Sequence, residues 1–192
     1  MIVSLRLSGV KVLVIGSSQE ALDRAHSLIH EGAKIVLYSP NLRPNPEGGV
    51  RLVKKERPSI RELFTARVVI ATDRNPRVNS WLFRWRSVCG FFLNTLDEKE
   101  TCDFYHMSTR TPQPGITLAI STSGASPSFA KSLANRLAAS ITYTDFEVLQ
   151  GLAEIRSTLI ADGRSTFGYN WHDAEQALRC RITGLNTSQK AS

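Results

Sequence analysis

No stretch of these 192 residues approaches the roughly 18–20 consecutive apolar residues that a membrane-spanning helix requires, so none is predicted. Cysteine is scarce: Cys89, Cys102 and Cys180 form no pair at metal-ligand spacing. Three scattered thiols argue against a disulfide scaffold and for a reducing, cytoplasmic compartment, with each cysteine read as a small buried apolar residue. The start, Met1 to Leu7, sets Arg6 in a short apolar stretch without a small-residue cleavage site, and no signal peptide is expected. A dense basic run is also missing. The net charge is +7, yet beyond Arg51, Lys54, Lys55 and Arg57 the cations are dispersed and aromatics are not interleaved with them. That pattern disfavours nucleic acid and favours a small polyanionic ligand.

What is present is an alternation. Lys11 to Ile15 is a continuous apolar run ending at Gly16, the pattern of a buried parallel strand. From Gln19 to Glu31, Ala21, Leu22, Ala25, Leu28 and Ile29 recur at helical spacing, and Gly32 ends the helix. Ile35–Tyr38, Val50–Val53, Val68–Ala71 and Gly90–Leu93 read as further strands. Helices are predicted around Ile60 to Phe64 and over Asn75 to Val88, the latter with Val78, Trp81, Leu82 and Trp85 on one face. Strands alternating with helices at this spacing predict an α/β fold with a doubly wound parallel sheet.

After Leu96 the pattern changes. Thr111 to Gly115 reads as a turn, Ile116 to Ser121 as a strand, and Ser121 to Pro127 as a small-residue loop. Ser126 is the expected cap of a helix over Pro127 to Ile141. A helix over Asp145 to Ala161, capped by Thr144 or Asp145, and a last helix over Trp171 to Arg181 complete the chain, with a frayed tail from Thr187.

A helix start after the first strand is where a dinucleotide pyrophosphate would sit, on free backbone N–H groups and the positive end of the helix dipole. The usual glycine spacing falls here on Gly16, Ser18 and Ala21, so the middle position carries a β-carbon. The end of the second strand offers Ser39, Pro40 and Asn41 and no carboxylate for the ribose. Candidate cofactor-binding residues are therefore Gly16, Ser17, Ser18, Gln19, Glu20, Ser39, Pro40, Asn41 and Thr72.

In order along the chain stand Lys11–Gly16, Glu31–Ala33, Tyr38–Pro40, Val69–Asp73 with Asn79, Asn94–Asp97, Cys102–Phe104 and Ala119–Pro127. Together they resemble the precorrin-2 dehydrogenase/sirohydrochlorin ferrochelatase family, the N-terminal part of siroheme synthase, over residues 1–145. The resemblance implies an NAD-binding Rossmann domain (1–112), a dimerisation region (113–144) and a C-terminal helical region (145–192), assembled as a homodimer. It implies NAD-dependent oxidation of precorrin-2 to sirohydrochlorin, in some members followed by ferrous iron insertion, and both tetrapyrroles are polycarboxylates. Asp97 matches the family's catalytic aspartate, and a carboxylate there can act as general base. Ser126 matches a position at the tetrapyrrole site, a role that coexists with capping, and His106 is a second substrate-contact candidate. Asp103 and Arg110 are weaker ones. No metal ligand is assigned, and the lack of a basic pair at Pro40–Asn41 favours NAD over NADP. The alternatives are a sirohydrochlorin metallochelatase with little NAD use and a non-catalytic nucleotide- or tetrapyrrole-binding protein.

Overall fold

The structure is a computed structural model and describes residues 3–42, 48–96 and 98–189. Two compact units divide between Tyr105 and His106.

The first unit is built on five parallel strands, β1 (Lys11–Ile15), β2 (Lys34–Tyr38), β3 (Arg51–Val53), β4 (Val68–Ala71) and β5 (Phe92–Asn94), in the order β3-β2-β1-β4-β5. Side chains alternate across a strand, so an apolar run buried on both faces feeds two cores. Val12, Val14, Ile35, Leu37, Val68 and Ile70 join Ala21, Ala25 and Leu28 of α1 (Gln19–His30). On the opposite face, Leu13, Ile15, Val36, Tyr38, Val69 and Ala71 pack with Leu63 of α2 (Ile60–Leu63) and with Val78 and Leu82 of α3 (Pro76–Cys89). Trp81 and Trp85 cover the edge of that second core, and Arg57 lies over the Trp81 ring, 4.4 Å from its centroid. The apolar stripe predicted for α3 is therefore the one that packs.

Glu31 caps α1, and Gly32 follows in the left-handed region (φ +82°), as its position predicts. The fifth strand begins two residues later than its apolar run predicts. Gly90 is spent capping α3 at φ +74°, and Phe91 goes into the core.

The second unit contains an antiparallel hairpin, β6 (Ser108–Gln113) and β7 (Ile116–Ile120), packed on α4 (Pro127–Ala139), and a helix pair, α5 (Tyr143–Ala161) and α6 (Trp171–Gln189). Three expectations are corrected here. The predicted turn over Thr111–Gly115 shrinks to Pro114 and Gly115, because β6 runs through Pro112. A register shift between Arg110 and Gln113 accommodates a residue that has no N–H to give. Helix α5 starts earlier, because Thr142 rather than Thr144 or Asp145 is the cap. Asp145 stands at the third helical position and accepts from the Thr142 backbone N–H (2.8 Å) and hydroxyl (3.0 Å). Helix α6 extends to Gln189, past the predicted start of a frayed tail. It is tied to α5 by the Arg179–Asp145 ion pair (2.9 Å), and these partners hold the Asp145 carboxyl below its ordinary range.

Candidate functional site

The order β3-β2-β1-β4-β5 places a topological switch between β1 and β4, and open α/β sheets bind ligands outside the carboxyl ends of strands at such a point. A cleft of about 390 Å³ lies there, within the range of small-molecule sites. Gly16 and Ser17 form its β1 side, Tyr38, Pro40 and Asn41 its β2 side, and Ala71, Asp73, Asn75, Val78 and Asn79 its β4 side.

Gly16 is required by close approach. A β-carbon there would lie 2.0 Å from the Thr72 hydroxyl, 2.8 Å from an Asp73 carboxylate oxygen and 3.1 Å from the Ala21 methyl. Its backbone N–H donates to the Tyr38 carbonyl (3.0 Å), and the Thr72 N–H donates to that of Ile15 (2.9 Å), so both neighbouring strands brace the turn. Ser18 is different. It caps α1 with an extended backbone (φ −91°) that suits a residue with a β-carbon, is exposed, and makes no capping hydrogen bond with its side chain. The missing second glycine thus costs the turn no strain.

The Ser17 backbone N–H donates to both carboxylate oxygens of Asp73, at 2.9 Å each. A backbone amide in the turn that leads into a helix and binds an anionic oxygen is a donor a pyrophosphate can use, and here the carboxylate stands in for that anion. The donor set therefore fits a dinucleotide phosphate, with Asp73 as an internal competitor.

Of the residues expected from sequence, Gly16, Ser17, Pro40 and Asn41 line the cleft. Ser39 and Thr72 support it from beneath: both are buried, and the Ser39 hydroxyl pairs with that of Ser17 (2.8 Å) and accepts from the Leu42 N–H (3.2 Å). Gln19 and Glu20 face elsewhere, Gln19 donating to Asp23 (2.9 Å) and Glu20 pairing with Arg24 and Arg74 (3.9 Å each). Asp97 lies outside the described residues. Ser126 caps α4, accepting from the Phe129 N–H (3.2 Å), and His106 is exposed. Asp103 closes the end of β5 by accepting from the Leu93 N–H (2.9 Å) and pairing with Arg86, while Arg110 binds Asn135 of α4. The three cysteines differ: Cys89 is buried as expected, its thiol pushed up by burial, but Cys102 is half-buried and Cys180 exposed.

Sequence reasoning did not single out Asp73 or Asn79 as site residues. The Asn79 side chain is 1% exposed, and neither its amide nitrogen nor its oxygen has a hydrogen-bond partner among the described residues. Leaving such a group unpaired costs about 1–3 kcal/mol. The available signal was an amide three residues before Leu82 on the buried face of α3. The Tyr38 phenol, also buried, faces Glu62 without a hydrogen bond of ordinary geometry, and burial followed by that carboxylate raises it far above its usual value.

Among the described residues no group of three or more His, Cys, Asp or Glu could hold a metal ion, and no helix is long and apolar enough to cross a membrane. Residues 3–108 match a family model described as "Putative NAD(P)-binding". The chain is 33% identical over 132 residues to precorrin-2 dehydrogenase of Bacillus subtilis, covering 66% of this chain and 80% of that protein. It is 30% identical over 136 residues to siroheme synthase 2 of Aeromonas salmonicida, covering 69% of this chain but 28% of the relative, so it spans little more than a quarter of that protein. Among solved structures, SirC, a precorrin-2 dehydrogenase, matches with a TM-score of 0.63 at 21% identity, over 95% of this chain and 88% of the other, which bears on the fold. By the coverage and identity of these matches, the chain belongs to the precorrin-2 dehydrogenase/siroheme synthase family and carries its NAD(P)-binding domain over residues 3–108.

Proposed function

We propose that this protein is an NAD-dependent precorrin-2 dehydrogenase of siroheme biosynthesis, cytoplasmic and homodimeric. The observation that carries the reading is the cleft over Gly16, whose turn leaves no room for a side chain and whose Ser17 N–H already holds an anionic oxygen. NAD, when bound, supplies the acceptor for the hydride that leaves precorrin-2. Gly16 and Ser17 receive the pyrophosphate, with Pro40 and Asn41 beside the adenosine and Ser39 and Thr72 bracing the turn.

Oxidation also releases a proton, and Asp97 is assigned as the base that takes it. The described residues before and after position 97 are hydrogen-bonded to one another. Thr95 shares its hydroxyl with Thr101 (2.5 Å) and donates its N–H to the Cys102 sulfur (3.2 Å), while Asn94 donates to the Phe104 carbonyl (2.7 Å) and accepts from the Leu96 N–H (3.2 Å). Leu96 itself is held at φ +57°, a strained conformation for a bulky residue and one that accumulates at functional sites. In the second unit Ser123 is likewise held at φ +51°, in the loop that leads to Ser126. Ser126 and His106 are assigned to substrate contact, residues 113–144 to dimerisation and residues 145–192 to a helical region. Ferrous iron insertion into the product would be a further step at the same base, with iron as substrate.

The test is turnover. Purified protein given precorrin-2 and NAD should form sirohydrochlorin and NADH, and Asp97→Ala should stop both while leaving folding and NAD binding intact. A folded wild-type protein that is inert with this pair removes the proposal.

A further inference from the structure

We infer that Asn79 is the base-reading residue of the cleft, its side-chain amide taking the N6/N7 edge of adenine; this rests on the dinucleotide reading of that cleft. Three observations meet at this residue. Its carboxamide is 1% exposed, and both polar atoms lack a hydrogen-bond partner among the described residues, although buried polar groups are ordinarily paired. It lines the cleft, so a ligand bound there lies within reach. Its neighbours on α3 are packed tightly: Val78 beside it is 5% exposed, and Leu82 one turn on is fully buried. A donor and an acceptor set side by side are thus left unpaired among the described residues, at the wall of the cleft.

The ligand group that satisfies both atoms must present an acceptor next to a donor on a flat, otherwise apolar body. Adenine does so with N7 and the N6 amino group, and asparagine is the side chain that pairs with that edge in two hydrogen bonds. The nicotinamide carboxamide offers the same two atoms, so position decides between them. In doubly wound sheets the adenosine lies at the end of the second strand, where the ribose is recognised. Asn79 shares its cleft with Tyr38, Pro40 and Asn41, which end that strand. Amide orientation is no obstacle, because rotating the group by half a turn exchanges its donor and acceptor.

The experiment is a pair of titrations by calorimetry, with NAD and with nicotinamide hypoxanthine dinucleotide, in which an acceptor replaces the N6 donor. Wild-type protein should prefer NAD by about tenfold or more. Asn79→Ala should weaken NAD to the level of the hypoxanthine analogue, collapsing the preference, while thionicotinamide adenine dinucleotide, altered at the other end, should still bind the variant as NAD does. A second measurement needs no variant. The Asn79 side-chain NMR signals should move on addition of AMP and stay in place with nicotinamide mononucleotide. NAD binding without a base preference, a preference unchanged in folded Asn79→Ala, or signals that follow the nicotinamide half overturn the inference but leave the dinucleotide site standing. Failure of NAD to bind at all overturns the site reading and the inference with it.

Discussion

Both carboxylate oxygens of Asp73 lie 2.9 Å from the backbone nitrogen of Ser17, bridging the loop after β4 to the turn between β1 and α1. A dinucleotide phosphate arriving at that amide meets a like charge already in place. Asp73→Asn keeps an acceptor for the turn and removes the repulsion. NAD should bind this variant several-fold more tightly at low salt, an order-of-magnitude effect of about 1 kcal/mol near a solvated surface. The advantage should shrink as salt is raised. Equal or weaker binding at every ionic strength would show that Asp73 assists the ligand rather than competing with it.

Gly16→Ala tests the close approach directly. The added methyl would fall 2.0 Å from the Thr72 hydroxyl, inside any tolerable contact, so the turn must move. A loss of about 1–3 kcal/mol in denaturant unfolding is expected, together with loss of NAD binding. Ser18→Gly, by contrast, should leave NAD affinity within about threefold of wild type, since Ser18 already sits in an unstrained conformation outside the cleft lining.

Glu62 gives a pH signature. Burial pushes its carboxyl up, but the facing Tyr38 phenol, hydrogen bonds from the Ser59 backbone and hydroxyl, and the charge of Lys55 outweigh this and hold it at about 2, against an ordinary 4.5. A folded-state value below the unfolded one contributes stability above the unfolded value, and that stability is lost as pH falls through the folded one. Glu62→Gln should therefore be less stable than wild type at neutral pH, with the gap closing between about pH 4.5 and pH 2. Thermal unfolding across that window reads it, and a gap that widens toward acid would contradict the assignment.

Ser126 separates capping from substrate contact. Ser126→Ala should cost about 1 kcal/mol by freeing the Phe129 N–H, while Ser126→Asp should restore the cap. A polycarboxylate substrate near residue 126 predicts that the aspartate variant, although stable, turns over more slowly through a raised KM. Wild-type KM in that variant would confine Ser126 to capping.

The sheet was legible because buried parallel strands announce themselves as apolar runs: Lys11–Ile15 and Val68–Ala71 fold as read, and the stripe Val78–Leu82 packs as read. The hairpin was less so. Pro112 argued for a turn, and only a register shift, invisible to propensity, allows a strand to run through it. At the cleft, glycine spacing found Gly16 but did not distinguish it from Ser18, since spacing carries no information on which β-carbon meets a neighbour. Asp73 lies in a motif that gives it no role by itself, because its partner, the Ser17 amide, is 56 residues away in sequence. The burial of Asn79 with nothing to bind is a property of packing that no single-residue pattern records.

The hydroxyls of Ser17 and Ser39 stand 2.8 Å apart, and either can donate to the other. Ser39 is fully buried and also receives the Leu42 N–H. When Ser39 donates, the Ser17 hydrogen is free to turn outward, and the floor of the cleft offers a second donor beside the amide. An oxyanion settling on the turn selects that state, which couples it to the end of β2 and to the segment that carries Pro40.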